Sequence, residues 1–438
     1  MRSSWLRQAF ILAGLPAAAL AGMVAAGHMQ TAAQPLSSSG PAQATQAQAT
    51  QVQVQALNSG TLLAGTMVLA QAGTTSANVR GVSSATCMNC HGSTPKYPVL
   101  GAKLTYEHSA HKLNGNATYA NGGGCQQCHT NEGFIEWTQK GKIDPATFVA
   151  NPSQPGCMTC HAPHETGTMA LRTTKAVTLV NKEEFDGGKG NLCASCHQSR
   201  SDAKAAVKDL PAKDVTARLG AHHGPQADMM VGTNAYQFPG KTYGSSDHYS
   251  SVDNTCVSCH MNLPKGRYSL SPEIGGHSMN LAGEVHEVET LNTSACVSCH
   301  KDMKQAPGTA SWSKFSDAGV QWVGPTAVFA VTASDDYDRD GKKEYVQDEV
   351  QGLMDLLVNP QGTGAMQTKL AMYDAKGTYI GAKAAAPYTA AQVGALFNYR
   401  YVLEDRSRGI HNLTYTVQLL TDSIAALDPA FDTSARPK

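Results

Sequence analysis

The sequence predicts a mainly α chain with extensive loops, closed by a helical cap at its C-terminal end. Three observations predict this. A five-residue word, Cys-x-x-Cys-His, occurs six times between Cys87 and His300 and uses all 12 cysteines. Glycine and proline, 41 and 20 in the whole chain, are scattered throughout, including among the words, which fits short helices and loops better than long regular elements. Beyond residue 310 the words stop, and apolar residues recur there at helical spacing.

The words are Cys87-Met-Asn-Cys90-His91, Cys125-Gln-Gln-Cys128-His129, Cys157-Met-Thr-Cys160-His161, Cys193-Ala-Ser-Cys196-His197, Cys256-Val-Ser-Cys259-His260 and Cys296-Val-Ser-Cys299-His300. This is the attachment pattern of c-type haem. Two thiols three positions apart reach the two vinyl groups of one porphyrin, and the adjacent His lies under the iron as its proximal ligand. One such word is also a redox dithiol, but six that leave no cysteine over imply six covalent haems. A disulfide framework would fit an exported chain, and four-cysteine zinc sites are the other alternative, but neither needs a His after every pair. The fold expected is therefore a haem-packed one. Flat apolar porphyrins supply surface that a chain with only 6% aromatic residues lacks.

In chain order, residues 1–26 read as an export signal. Arg2 and Arg7 make the start positive, and Phe10 to Leu20 form the apolar middle. Small residues follow, with cleavage after Ala21, Ala26 or Ala33 all compatible. The apolar run is short for a membrane span, so none is expected to be retained. No cysteine near the cleavage region offers a lipid anchor. Residues 27–80 read as a low-complexity linker or arm, rich in Gln, Ala, Ser and Thr over 34–56. The apolar run at 61–70 within it is either a strand on the body or an arm for a neighbour.

Residues 81–310 form the hexahaem domain. Successive first cysteines are 38, 32, 36, 63 and 40 residues apart, too loose a period for a solenoid. Residues 311–438 form the helical cap. Val346, Val350, Leu353 and Leu357 share one helical face. Thr389 with Gln392 makes a capping box before a second helix that Gly409 is expected to end. His411 then opens a third, with Leu413, Val417, Leu420, Ile424 and Leu427 along one side.

The second ligand of each iron separates a carrier from an enzyme. An iron with two protein ligands passes electrons, whereas an open one can bind a small molecule. There are 16 histidines. Six are proximal, namely His91, His129, His161, His197, His260 and His300, and His28 lies at the signal. Nine remain for six irons. The distal candidates are His108, His111, His164, His222, His223, His248, His277 and His411, while His286, between two glutamates, reads as surface. His164 is too near its own word to close it and suits a haem stacked alongside. His111 is favoured over His108, and only one of the adjacent His222 and His223 is expected to ligate. Met229, Met230, Met261 and Met279 are the rival ligands, but with histidine in surplus they read as packing residues.

Asp335 to Glu344 resembles half of a calcium loop. Asp336, Asp338, Asp340 and Gly341 fit its first, third, fifth and sixth positions, but Gln347 stands where a bidentate Glu belongs. The alternatives are a calcium ion or a solvated turn before a helix. Formal net charge is +0, which gives no electrostatic case for nucleic acid.

The six words identify residues 87–300 as resembling a multihaem c-type cytochrome. The stretches His222-His223-Gly-Pro-Gln-Ala-Asp-Met-Met, Gly275-Gly-His277 and Gly409-Ile-His411-Asn also resemble exported cytochromes distantly related to the pentahaem nitrite reductase and hydroxylamine oxidoreductase group. That resemblance implies distal roles for His411, His277 and one of His222 and His223. Nitrite reductases of this kind carry Lys in place of one word's His, and here all six words end in His. In haem count and length alone the chain also resembles subunits of extracellular cytochrome filaments.

The expectation is an exported hexahaem carrier, periplasmic or at the cell surface, exchanging electrons with other redox proteins or extracellular acceptors. The alternatives are a multi-electron reductase of a small nitrogen or sulfur oxyanion, which needs an open iron, and a self-assembling filament.

Overall fold

In a computed structural model the protein is described over residues 99–438, apart from 114–123, 145, 147, 209–214, 217, 267–270, 317–318 and 382–386. The expected signal, the linker or arm, and the first word with Cys87, Cys90 and His91 lie outside the described residues.

The word-bearing region is built mostly from short helices of one or two turns. They include α1 (Leu100–Tyr106), α2 (Ala110–Leu113), α3 (Gln126–His129), α4 (Asn131–Lys140), α5 (Cys157–Cys160), α6 (Pro163–Thr166), α7 (Asn191–Ala194), α8 (Ala203–Lys208), α9 (Gln226–Val231), α10 (His248–Ser251) and α11 (Cys256–His260). The spacing of the word explains the turn. Residues i, i+3 and i+4 share one helical face, so both thiols and the imidazole point the same way only if the word is helical. The backbone obeys: the amides of His129, His161, His197 and His300 donate to the carbonyls of Cys125, Cys157, Cys193 and Cys296 at 3.1, 2.9, 2.8 and 2.9 Å.

Among these helices α4 is the longest. Thr130 caps it, its Oγ1 accepting from the Gly133 amide at 2.9 Å, and Gly141 at φ +71° ends it. Two small antiparallel hairpins stiffen the region. β1 (Val177–Thr178) pairs with β2 (Glu184–Phe185), and β3 (Ala282–Val285) pairs with β4 (Val288–Leu291). His286 and Glu287, both at positive φ, form the two-residue turn of the second hairpin, and His286 is exposed there.

The C-terminal third opens with a feature that the helical expectation did not contain. β5 (Gln305–Ser316) and β6 (Gly319–Phe329) form a long antiparallel hairpin. Its register runs from Gln305 opposite Phe329 to Ser316 opposite Gly319, with irregularities between Pro307 and Ser313. Pro307 and Pro325 each lack an amide to donate, which interrupts the ladder. Helices α12 (Val346–Leu357), α13 (Ala365–Thr368), α14 (Ala390–Asp405) and α15 (Leu413–Leu427) follow.

The α12 stripe of Val346, Val350, Leu353 and Leu357 is buried. Its other side carries Gln347, Asp348 and Gln351, also buried, because they satisfy the hairpin. They accept from the amides of Phe329 (2.9 Å), Thr309 (3.2 Å) and Ser313 (3.0 Å). This α14 is buried nearly all round, as the central helix of a core must be. The capping box of Thr389 and Gln392 starts it. It ends earlier than Gly409, at Asp405, because Arg406 takes the left-handed conformation (φ +65°). Asn398 hydrogen-bonds Ser423 while Asp405 meets His411, so α14 and α15 run antiparallel. One core joins these helices to Ala203, Val207, Ala221, Met229 and Phe238 from the word-bearing region.

Candidate functional site

The described words approach one another in space. The thiols of Cys128 and Cys196 lie close enough to act on each other, and so do those of Cys193 and Cys256. The Cys160 thiol acts electrostatically on Cys193 and Cys196, and Cys259 lies near Cys296 and Cys299. The second, fourth, fifth and sixth words thus form a row, with the third beside the fourth. None of the described cysteines is in a disulfide.

Each of four words faces a second imidazole. His197 meets His111 with ring centres 6.0 Å apart, His161 meets His277 at 6.2 Å, His300 meets His248 at 6.2 Å, and His260 meets His411 at 6.3 Å. These separations test whether the residues fit haem iron. Two metal–imidazole bonds of about 2 Å, plus roughly 1 Å from each ligating nitrogen to its ring centre, span about 6 Å. Imidazoles in ordinary stacking contact need no common spacing. Four pairs that each join one word's His to a distant His fit a metal held between them.

The hydrogen bonds at the other ring nitrogen agree. The Nδ1 atoms of His161, His197, His248 and His260 sit 2.8, 3.2, 2.6 and 2.9 Å from the Met169 carbonyl, Gln226 Oε1, the Ile410 carbonyl and the Met279 carbonyl. His411 Nδ1 lies 2.6 Å from Asp405 Oδ1. Every one of these partners accepts, so Nδ1 carries the proton and Nε2 keeps its lone pair for a metal. Burial also keeps the rings neutral. It lowers His111 to about 4, helped by His197, and it lowers His197, His260 and His277. At His411 burial acts the same way, but the charge and hydrogen bond of Asp405 outweigh it and the net shift is upward.

His129 is lowered by burial and by the neighbouring His222 and His223. Those two residues both occupy the left-handed region (φ +69° and +56°), a strained backbone for side chains of this size. His223 is turned toward the C-terminal third. Its amide donates to Glu404 Oε2 and its ring packs 4.7 Å from Phe315. His111, not His108, faces His197, while the His108 carbonyl accepts from Asn280 Nδ2 at 3.0 Å. His164 is exposed on α6 and stands outside the four pairs. Of the methionines named above, Met229 and Met230 are buried in the core, and the Met279 carbonyl accepts from His260 Nδ1.

The carboxylates of Asp336, Asp338 and Asp340 come within 4.8 Å of one another. Gln347 and Asp348 do not join them, since both are committed to the hairpin amides. Burial, with Glu349 and Asp340 nearby, raises Asp338 to about 7.

The Nδ1 acceptors were invisible to motif reading. Asp405 precedes His411 by six residues with no recognisable pattern, and backbone carbonyls leave no trace in a sequence. Strain at His222 and His223 was likewise unreadable, although the Gly-Pro that follows them marks a turn.

Comparison with known proteins follows from this geometry. Residues 79–312, over half of the chain, match the family described as outer membrane cytochrome MtrC/MtrF-like, domains II/IV. The C-type polyheme cytochrome OmcC of Geobacter sulfurreducens is 22% identical over 264 residues, covering 52% of this chain and 31% of that protein. OmcB of the same species is 21% identical over 253 residues, covering 52% and 30%. This chain therefore spans about a third of the length of these curated relatives. The crystal structure of the outer cell wall cytochrome OcwA is similar with a TM-score of 0.39 and 20% identity, over 75% of this chain and 50% of that one. The matches are to outer-membrane cytochromes and not to the nitrite reductase group. This corrects the finer resemblance read from His222-His223, His277 and His411.

Proposed function

Because the chain belongs to the MtrC/MtrF-like family of outer membrane multihaem c-type cytochromes, we propose that it is an exported carrier holding six haems c and exchanging electrons with other redox proteins or extracellular acceptors. The observation that carries this reading is the set of four histidine pairs at 6.0–6.3 Å.

Each cysteine pair would hold its haem by two thioethers, and bound haem supplies reversible one-electron chemistry at iron. This chain's part is to close, orient and bury. His161 with His277, His197 with His111, His260 with His411 and His300 with His248 would hold four irons between them. His129 takes one of His222 and His223. His91, outside the described residues, takes His108 or His164. Closed irons leave no place for a substrate, which favours a carrier over a reductase of nitrogen or sulfur oxyanions. The four pairs are complete within one chain, which favours a carrier over a filament whose neighbour lends a ligand.

The row of adjacent words gives electrons a path through the molecule, with a branch at the third word. Among the described residues no helix is long and apolar enough to cross a membrane. Calcium at Asp336, Asp338 and Asp340 is the finer cofactor reading, and calorimetric titration with calcium chloride that releases no heat above the buffer blank would dismiss it.

The test is pyridine haemochrome quantification with electron paramagnetic resonance of the oxidised, mature protein. Six haems per chain, all low-spin, are expected. Ring planes at 77° and 80° in two pairs and 44° and 47° in two others place the low-spin signals in two classes. A high-spin signal near one haem equivalent overturns the carrier reading in favour of a reductase, and fewer than six haems overturns the six-haem count.

A further inference from the structure

Among the eight histidines of the four pairs, five have a described Nδ1 partner. Four of those partners are neutral: the carbonyls of Met169, Ile410 and Met279, and the Gln226 amide oxygen. The fifth is the carboxylate of Asp405, against His411. The contrast is one of charge, because all five contacts place an acceptor on Nδ1.

Asp405 is fixed in this role. It is 2% exposed, and its second oxygen, Oδ2, accepts from the Ser407 amide and hydroxyl. Ser407 Oγ in turn accepts from the His411 amide, tying ligand and carboxylate into one turn. Arg406 and Arg408 are close in sequence, but no described ion pair joins either to Asp405. Arg406 is exposed, and the Arg408 guanidinium donates to Ser313 and Gln351. His411 Nδ1 is thus bonded directly to a buried carboxylate, whose charge also acts on Arg408 and His260, in surroundings where screening is weak.

A carboxylate hydrogen-bonded to a metal-bound imidazole raises the basicity of that ligand. A more basic ligand, with a fixed negative charge behind it, stabilises the ferric state over the ferrous one. Resting on the carrier reading above, we propose that Asp405 is a positioning residue that makes the haem on Cys256 and Cys259 the lowest in reduction potential of the four paired haems. The word that would carry this haem lies inside the row, since Cys256 is near the fourth word and Cys259 near the sixth. Electrons crossing the row climb at this point, so Asp405 governs how readily the two ends of the molecule exchange them.

The experiment is a spectropotentiometric titration of the mature holoprotein, with electron paramagnetic resonance resolving the individual haems. In Asp405→Asn the amide oxygen still accepts from Nδ1, but the charge is gone. All haems stay low-spin, and one potential rises by about tenfold in the reduction equilibrium, about 59 mV for one electron. In Ser407→Ala the carboxylate loses a donor and becomes more basic, so the same potential falls by a smaller step. Opposite movements of one haem are not what a loosened fold produces. Potentials unmoved in both variants, or movement of the same sign in both, overturn the proposal. If Asp405→Asn fails to load haem, Ser407→Ala decides alone: a fall supports the proposal and an unmoved potential overturns it. A wild-type protein with a high-spin haem is a different failure, that of the carrier reading, and it is visible before any variant is made.

Discussion

Residues 124–300 and residues 305–438 are ordered by different means. The first region carries five of the words on helices of mostly four to six residues and owns only a small apolar cluster around Val177, Leu179, Phe185, Ala194, Ala227 and Met230. The second has a continuous core in which Val350, Leu353, Met354, Leu396, Phe397 and Leu420 have no exposed surface. Short helices are marginal by themselves, and small cores stabilise little. A region so built needs covalent groups to wrap, whereas the other is closed by ordinary packing. On the proposed reading, a chain low in aromatics remains ordered because its apolar mass arrives with a cofactor. The hydrophobic count of a sequence then understates its core.

The largest effect expected is from removing one haem. In Cys256→Ala/Cys259→Ala the mature protein should carry five haems by pyridine haemochrome. Hydrogen exchange should then lose protection around α7, α10 and α11, while α12 and α14 keep theirs. Equal loss in α14 would break the comparison, because the two regions would then be one cooperative unit.

The reverse perturbation comes next in size. Leu353 is fully buried in the core of α12. Leu353→Ala should cost about 2–5 kcal/mol, the range for a buried leucine that leaves a cavity. Denaturant melting of the helical signal would measure it. The haem absorption spectrum and the potentials should be unchanged before the transition. A spectral shift in the folded variant would show that core and haem ligation are coupled.

How far the sequence revealed this division depends on range. The words and the α12 and α15 stripes are local patterns, so spacing exposed them. Which histidine meets which word is not local. The four pairs join residues 52 to 151 positions apart, His300 with His248 being the shortest and His411 with His260 the longest. Only the surplus of histidines was readable, not the match. The β5–β6 hairpin was hidden for another reason. Pro307, Gly308 and Pro325 break its alternation, and the helix covering it presents Gln347, Asp348 and Gln351 where a pattern of apolar residues would be sought. Those polar residues are buried because they answer hairpin amides, a partnership between elements that no single stretch displays. The helix end at Asp405 was missed in favour of Gly409 because Gly is the usual left-handed residue, while here Arg406 takes that conformation.

The smallest effect sharpens the comparison by giving the C-terminal region a pH response of its own. Asp355 on α12 is raised from its ordinary value to about 6, chiefly by burial, although the Gln351 side chain donates to it at 2.7 Å and the positive charge of Arg408 acts on it. Below about pH 4 the carboxyl is protonated in both folded and unfolded chains and contributes nothing. Between about pH 4 and 6 the unfolded chain releases this proton first, so stability falls as pH rises. Above about pH 6 both forms are ionised and the penalty is constant, on the order of 1–3 kcal/mol. Asp355→Asn should flatten this slope and gain part of that amount at neutral pH, with haem content and potentials as in the wild type. Chemical melts of both proteins between pH 4 and 7 would measure it. A slope that survives the substitution would place the pH response in another group. A slope that vanishes together with a moved haem potential would mean that the packed region and the haem-bearing region share their electrostatics across Arg408, and that the contrast between them is one of packing alone.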